Sequence, residues 1–267
     1  MNFRIGLFDS GVGGFTVLKS IQDRHSDVST LYLADTGRVP YGSKKTSDIR
    51  MIAREVIEWL TQQNIHAVVV ACNTTNSLAI DIIKNFSNLP VFELIESSSE
   101  FIFESRIGVL STPLTAASKA YTKNILSFNP NAFVIEQGCP EFVPMIEGCL
   151  SNKKSLEETV RKHLRPLLEA NVQSIVLGCS HYPLLNSIFE ELLPENIRLI
   201  DPSLYLSRKL DDLLRSANDP NHKHQSIAST RFYVTSDPSG FASKVKYWMG
   251  ITPEIQVISL QSKSCVF

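Results

Sequence analysis

Two cysteines stand in matching positions of the sequence, Cys72 in VVVACNTTNS and Cys179 in SIVLGCSHYP. Each follows a short apolar run, typical of a buried strand, and precedes small hydroxyl or amide residues that favour the start of a helix. The unpaired amides and partial positive charge of a helix N-terminus favour a thiolate over a thiol. One such cysteine is either a reactive group or a buried packing residue. Two in the same context indicate a pair of acid/base groups that work on one substrate.

The turn FDSGVGGFT follows the first apolar run and carries further polar groups. Its first two glycines begin like a dinucleotide-binding fingerprint, but Thr16 stands where the third glycine belongs, so that match is weak. A tight strand-to-helix turn with positive φ would also explain the glycines. We expect Ser10 and the turn's amides to meet a small ligand. Asp9 is expected to point into the cleft, with helix capping as the alternative.

A histidine lies two residues beyond the second cysteine. His181 beside Cys179 can activate a thiol, and a Cys-x-His pair is also half of a zinc site. Zinc needs further ligands, and neither a CxxC motif nor a nearby histidine supplies them. An acid/base role for His181 is therefore predicted over a purely structural one, and no metal is expected. His222 and His224 lie in a polar stretch and are expected to be solvated loop residues rather than metal ligands.

Small polar residues beside the first cysteine and after the second strand are candidate ligands for a carboxylate. Asn73 and Thr74 stand at the predicted helix start, where side chains and free backbone amides together form a seat for an anion. Tyr41 and Gly42, in the segment ADTGRVPYGSK, offer a phenol and an open backbone amide. An ordinary loop explains that segment equally well.

The second half of the chain has its own candidates. Thr112 and Thr115 follow a strand-like run in IGVLSTPLT, and Glu147 lies in the otherwise apolar segment CPEFVPMIEG. Taken alone, Glu147 is either a group of the site or a surface charge at a helix end.

Composition limits the class of protein. The chain has 267 residues, 43% of them hydrophobic, and a formal charge of −1, which allows one large or two ordinary domains. The near-neutral balance gives no reason to expect a nucleic-acid or membrane-surface partner. No apolar run approaches the roughly 20 residues of a membrane helix, and no signal peptide is expected. Five cysteines without a pairing pattern fit a cytoplasmic protein with reduced thiols.

Short apolar runs alternate with helical patterns, which predicts α/β architecture with parallel sheets covered by helices. Apolar residues at 49, 52, 53, 56, 57 and 60 form one helix face, and those at 156, 160, 164 and 168 form another, which Pro166 is expected to bend. The predicted strands are 3–8, 30–33, 67–71, 91–92, 107–110, 133–135, 174–177 and 197–200, followed by a later pair at 231–234 and 255–258.

An internal repeat relates the two halves. IGLFDS at 5–10 is similar to IGVLST at 107–112, and the two cysteines have nearly the same separation as these two segments. We therefore expect two similar α/β halves that face each other across a cleft. Because ligands of open α/β sheets bind outside the carboxyl ends of the strands, both cysteines would reach one ligand from opposite sides.

The motifs FDSGVGG, PYG, ACNT, GCP with VPMIEG, and GCSHYP, in this order, resemble those of the glutamate racemases of the aspartate/glutamate racemase superfamily. They span residues 5–183, and FYVTSDP at 232–238 extends the likeness over nearly the whole chain. The resemblance implies a racemase that needs no cofactor and interconverts L- and D-glutamate, the latter for peptidoglycan. It also implies two pseudo-symmetric domains, 1–97 with 208–267 and 98–207. A cytoplasmic homodimer is expected.

The resemblance also implies a role for each motif residue. Cys72 and Cys179 would be the two acid/base groups, with Asp9 supporting Cys72 while Glu147 and His181 support Cys179. Substrate would be bound by Asp9, Ser10, Tyr41, Gly42, Cys72, Asn73, Thr74, Thr112, Thr115, Ser180 and His181.

Two departures and three rival interpretations accompany this resemblance. Ser180 replaces the usual threonine, with its hydroxyl retained, and FELIESSSE at 92–100 lacks the usual Glu-Pro-Gly, which affects the connection between the domains. A racemase for aspartate or another small acid is the first rival. A binding protein with redox-active or regulatory cysteines is the second, and a zinc protein is the third. No lysine lies within the cysteine motifs, which argues against pyridoxal chemistry.

Overall fold

A computed structural model of the chain describes residues 3–149, 153–217 and 229–260. His222 and His224 lie outside the described residues. The described part contains two sheets in which every strand pairing is parallel. The strands are β1 Arg4–Asp9, β2 Ser29–Ala34, β3 Ala67–Val70, β4 Val91–Glu93, β5 Arg106–Ser111, β6 Phe133–Gly138, β7 Ser174–Gly178, β8 Arg198–Ile200, β9 Thr230–Val234 and β10 Ile255–Val257.

Helices cover both sheets and make two parallel-sheet α/β domains. The α-helices are α1 Gly14–Arg24, α2 Thr46–Leu60, α3 Asn73–Phe86, α4 Leu94–Ser99, α5 Pro113–Ser118, α6 Ala120–Phe128, α7 Phe142–Glu147, α8 Lys153–Glu169, α9 Asn186–Leu192, α10 Pro202–Ala217 and α11 Pro238–Met249. The predicted strands and the predicted α/β class are confirmed, with strand ends displaced by at most three residues.

The sequence repeat corresponds to a repeat of topology. The first domain has the strand order β10-β9-β2-β1-β3-β4, and the second has β6-β5-β7-β8. In each, the first strand of the repeat (β1 or β5) pairs with the next two in the chain, and the fourth lies outside the third. Cys72 follows β3 and Cys179 follows β7, so the two cysteines occupy equivalent positions in the two domains.

Apolar side chains fill both faces of each sheet. The run Val68, Val69 and Val70 of β3 is fully buried, as expected for a parallel strand with helices on both sides. The predicted apolar face of α2 is buried in the same core. In α8 the buried face includes Leu167 in place of the predicted Leu168, and the helix continues through Pro166 to its end at Glu169.

Two helices connect the domains. After β4, α4 leads into the second domain, and after β8, α10 leads back to the first; these two helices pack on each other. In α4 the buried hydroxyls of Ser98 and Ser99 donate hydrogen bonds to backbone carbonyls of the preceding turn. A regular helix thus occupies the segment that lacks Glu-Pro-Gly. We propose that the domains divide within these helices, as 1–97 with 208–267 and 98–207.

None of the helices in the described ranges has the length and apolar character needed to cross a membrane.

The packing of α8 predicts a difference between two adjacent leucines. Leu167 is fully buried and lies against Gly108 of β5, whereas Leu168 is only partly buried. Leu167→Ala should therefore lower the free energy of unfolding by about 2–5 kcal/mol, because it removes a core side chain and leaves a cavity. Leu168→Ala, the matched control, should cost clearly less. Urea unfolding of both variants measures the difference, and an equal cost would contradict this packing.

Candidate active site

A cavity opens between the carboxyl ends of the two sheets. Its wall contains both cysteines, each less than a tenth exposed, together with residues from the turns that follow the strands. The predicted site residues on this wall are Ser10, Tyr41, Gly42, Cys72, Asn73, Thr74, Thr112, Cys179, Ser180 and His181. Three other predicted residues do not line the cavity but form a hydrogen bond with a residue that does: Asp9, Thr115 and Glu147.

Cys72 ends the run of β3 and lies at the N-terminus of α3. Burial raises the pKa of its thiol to about 12, the negative charge of Asp9 adds to this, and hydrogen bonds from Thr75 only partly oppose it. The expectation that the helix start would favour a thiolate is therefore wrong for Cys72. Its position at the helix is as predicted, but burial beside a carboxylate outweighs the helix.

Cys179 has a different set of neighbours. His181 lies with Nδ1 3.9 Å from the Cys179 sulfur, and its Nε2 lies 2.8 Å from Oε1 of Glu147. Burial by itself would lower the pKa of His181, but the contacts with Cys179 and Glu147 raise it well above the usual value. The imidazole next to Cys179 therefore holds a proton more readily than a free histidine does.

Glu147 is almost completely surrounded by hydrogen-bond donors. Besides His181, the backbone N–H of Val12 donates to Oε1 at 3.3 Å, and Lys244 Nζ lies 2.6 Å from Oε2. Burial would raise the pKa of this carboxyl, but His181 and Lys244 lower it to about 2. Glu147 is thus a partly buried, ionised group of the site and not an exposed surface charge.

Asp9 joins the two domains. It is fully buried; Oδ1 accepts from the Gly11 N–H and Oδ2 from the Ser180 hydroxyl, both at 2.9 Å. The Thr16 hydroxyl in turn donates to the Ser180 carbonyl at 3.0 Å. The prediction that Asp9 points toward the cleft fits this geometry, because its partner Ser180 stands on the opposite wall.

The glycines of the first turn permit this close approach. A Cβ on Gly13 would lie 2.2 Å from Nδ1 of His181, and one on Gly11 would lie 2.4 Å from Oε1 of Glu147. Neither glycine has a positive φ; among the described glycines that conformation occurs at Gly250 alone. The alternative explanation of these glycines, a turn that needs positive φ, is therefore wrong. These positions lack a side chain because the other domain occupies that space.

A chain of hydroxyl groups crosses the cavity wall. Thr74 of the first domain lies 3.0 Å from Thr112 of the second, oxygen to oxygen, and Thr112 donates to Thr115 at 3.0 Å. Beside them, the Asn73 carbonyl oxygen accepts from the Tyr121 hydroxyl at 2.7 Å. The Asn73 amide nitrogen is buried without a hydrogen-bond partner among the described residues. It is a donor available to a ligand.

Tyr41 and Gly42 line the cavity, but they contribute differently than the sequence predicted. The Tyr41 hydroxyl donates to the buried carboxylate of Asp35, so the ring, rather than a free phenol, faces the cavity. A Cβ on Gly42 would lie 2.7 Å from Cβ of Thr112. Gly42 therefore allows another close contact between the two domains.

Sequence reasoning missed part of the wall and one charged residue. The second domain adds residues that carry little chemical signal: Cys139, Pro140, Val143 and Pro144. Lys244 was missed because it lies outside the quoted motifs, 97 residues from Glu147 along the chain, and reaches Glu147 only in the folded structure. Within the described ranges, no group of three or more histidine, cysteine or acidic side chains is placed to hold a metal ion.

The low pKa of Glu147 predicts a loss of stability in acid. Its folded-state pKa of about 2 lies below the ordinary 4.5, so the ionised form stabilises the protein above about pH 5 and the contribution is lost as the pH falls. Between pH 7 and pH 3 the wild type should lose about 2 kcal/mol more free energy of unfolding than Glu147→Gln. Urea unfolding at both pH values tests this. Parallel losses would show that Glu147 is not the group responsible.

Comparisons with known proteins show which family the chain belongs to. The family model for Asp/Glu/Hydantoin racemases matches residues 16–209. The glutamate racemase of Prochlorococcus marinus (strain NATL1A) is 48% identical over 98% of this chain and 99% of its own length. That of Synechococcus sp. (strain CC9605) is 46% identical over 95% and 96%. The solved glutamate racemase of Francisella tularensis subsp. tularensis SCHU S4, in complex with D-glutamate, superposes with a TM-score of 0.89 at 32% identity, over 97% of this chain and 98% of that one.

These matches cover most of the chain at substantial identity, and the cavity contains the cysteines of the family motifs. The chain belongs to the Asp/Glu/Hydantoin racemase family and, with its glutamate racemase relatives, is an isomerase that acts on amino acids.

Proposed function

We propose that this protein interconverts L- and D-glutamate without a cofactor, with Cys72 and Cys179 as the two acid/base groups. The observation that carries the proposal is the position of these two buried cysteines, which line one cavity from equivalent positions of two facing domains. The relatives named as glutamate racemases support glutamate as the substrate.

Racemisation explains why two thiols from opposite sides are useful. Inverting an α-carbon requires removal of a proton from one face and delivery of a proton to the other. A single base would have to cross the substrate, whereas two fixed bases need not move. The proton leaves Cα for one sulfur, the electron pair stays on the substrate carbanion, and the second thiol protonates the opposite face.

The two thiols have different neighbours. Burial and the charge of Asp9 raise the pKa of Cys72, which favours its thiol form. Cys179 lies beside His181, whose Nδ1 is 3.9 Å from the sulfur and can exchange a proton with it. In either direction of the reaction one cysteine would start as the base and the other as the acid. By resemblance to the family, Cys179 is the group that takes the proton from L-glutamate.

The wall also offers groups for the substrate α-carboxylate. The Asn73 amide has a free donor, and the hydroxyls of Thr74 and Thr112 stand beside it. Such donors, fixed before the reaction in a water-poor cavity, would stabilise the negative charge that develops as the α-proton leaves. This stabilisation replaces the electron sink that a pyridoxal cofactor would otherwise supply.

The resemblance alone supports three further parts of the proposal. D-glutamate from this reaction would supply peptidoglycan, the enzyme would act in the cytoplasm, and it would be a homodimer. Light scattering of the purified protein measures the last of these directly.

Isotope exchange gives the direct test of the two-base mechanism. Purified protein incubated in D2O with L- or D-glutamate should racemise both enantiomers and introduce deuterium at Cα. Chiral chromatography measures the racemisation, and mass spectrometry measures the deuterium. Cys72→Ser and Cys179→Ser should each lower racemisation by about 10³-fold or more, because serine is a much weaker acid than cysteine and a poor proton carrier at this pH. The same assay with aspartate in place of glutamate tests whether the protein acts on the related amino acid instead.

Cys149→Ser is the matched control, since Cys149 is a free cysteine that does not line the cavity. It should keep full activity. Unimpaired turnover by either Cys72→Ser or Cys179→Ser would refute the assignment of that thiol. Faster turnover of aspartate than of glutamate would refute the proposed substrate.

The glycine contact provides a test of domain approach. In Gly13→Ala the new Cβ would overlap His181 Nδ1 and lie 2.5 Å from the Ser180 hydroxyl, so His181 must move or the domains must separate. A displacement of about 1 Å at reacting groups costs on the order of 100-fold in rate. Gly13→Ala should show this loss in kcat/KM with little change in circular dichroism. Gly37→Ala, whose Cβ would meet only Thr235 and Ser236 of its own domain at 3.2 Å or more, should keep activity. Similar activity for both variants would contradict the close approach.

A further inference from the structure

Lys244 reaches the catalytic region from a helix far along the chain from the motifs that contain the two cysteines. It lies on α11, whose neighbouring residues Phe241 and Val245 are buried in the core of the first domain. The Phe241 ring packs against Phe15 and Tyr32. The backbone that carries Lys244 is therefore fixed to the first domain.

The partner of Lys244 belongs to the second domain. Glu147 is the last residue of α7, and Phe142 and Ile146 of that helix are fully buried in the second domain's core. The Lys244–Glu147 ion pair, at 2.6 Å, thus joins the two domains. Lys244 does not line the substrate cavity, so whatever it does for the reaction passes through Glu147.

The two oxygens of Glu147 have separate partners. Oε1 faces His181 and the Val12 N–H, and Oε2 faces Lys244. The last torsion of a glutamate is broad and has no strong preference of its own. Contacts to both oxygens therefore fix the carboxylate plane, whereas contact with Oε1 alone would leave the group free to rotate.

The orientation of Glu147 determines that of the histidine. His181 uses Nε2 to hold Glu147 and presents Nδ1 to the Cys179 sulfur. A carboxylate that is held in place keeps the ring in this orientation, with Nε2 at Glu147 and Nδ1 at the Cys179 sulfur.

We propose that Lys244 is a positioning residue for Cys179: by fixing the Glu147 carboxylate between the two domains, it keeps His181 oriented toward the thiol. This inference rests on the proposed function, in which Cys179 exchanges a proton with the substrate. It also connects proton transfer to domain closure, because Lys244 and Glu147 meet only when the domains are together.

Steady-state kinetics with a double-mutant cycle tests the proposal. Lys244→Met keeps the length of the side chain and removes its charge; it should lower kcat about tenfold and leave KM within about twofold. Lys244→Arg should restore most of the rate, because it keeps a donor for Oε2. In the Glu147→Gln background, Lys244→Met should cause no further loss, since its target carboxylate is already gone. Lys246→Met is the matched control on the same helix; Lys246 is exposed, and kcat should stay at the wild-type value.

Three results would overturn the proposal. Equal kcat for Lys244→Met and Lys246→Met would show that the ion pair has no part in the reaction. The same fold-loss in the wild-type and Glu147→Gln backgrounds would show that Lys244 does not act through Glu147. A raised KM with unchanged kcat would make it a substrate-binding residue instead.

A spectroscopic measurement separates this proposal from the proposed function. With ¹⁵N-labelled histidine, the ring-nitrogen signals of His181, assigned with His181→Asn, should shift in Lys244→Met and not in Lys246→Met. This comparison needs no substrate. If the wild type failed to racemise glutamate but the His181 signals still shifted, the proposed function would fail while the positioning by Lys244 would hold. If the His181 signals were unchanged in Lys244→Met while the wild type racemised glutamate, the positioning role would be refuted and the proposed function would stand.

Discussion

Close contact between the carboxyl edges of the two sheets is the constraint on which the whole site depends. Both thiols are attached to rigid strand ends, so their separation is set by how near the domains lie and not by local structure. Gly13 has no side chain because His181 occupies that space, and Oδ2 of Asp9 accepts a hydrogen bond from Ser180 of the other domain. A change of a few tenths of an ångström in this approach alters all of these contacts together.

Two carboxylates receive hydrogen bonds across the interface between the domains. Asp9 is fully buried and accepts from Ser180, and the partly buried Glu147 accepts from Val12 and Lys244. Taking a carboxylate out of water costs free energy, which its partners on the opposite domain roughly offset. These contacts therefore add little net free energy to the association of the domains, and what they fix is the position of each carboxylate.

The sequence predicted those features that are encoded locally. Strands, the buried face of α2 and the positions of the cysteines follow from short patterns, and the topological repeat follows from two similar segments at a similar spacing. Features that depend on the other domain were not predictable in this way. Three features can be explained only when the side chain on the opposite domain is known. They are the need for a glycine at position 13, the ionised state of Glu147 and the contact of Lys244 with Glu147. The expectation of a thiolate at Cys72 was wrong because the sequence shows the helix start that favours it but does not show burial beside Asp9, which raises the pKa of the thiol.

The repeated scaffold places two thiols with different neighbours at one cavity, and the proposed two-base reaction gives a use to both. The enantiomers of glutamate have equal free energy in water, so a glutamate racemase must serve both directions equally at equilibrium, which equivalent positions for the two sulfurs would allow. The proposed reaction nevertheless needs one base and one acid at the start, and the neighbours of the thiols do differ: a carboxylate lies near Cys72, and an imidazole whose pKa is raised lies near Cys179. In that mechanism the thiols exchange protons in each turnover, so the groups around them must tolerate both states. Asp9 and Glu147 are each held by donors from the opposite domain, which keeps both carboxylates in place during such an exchange.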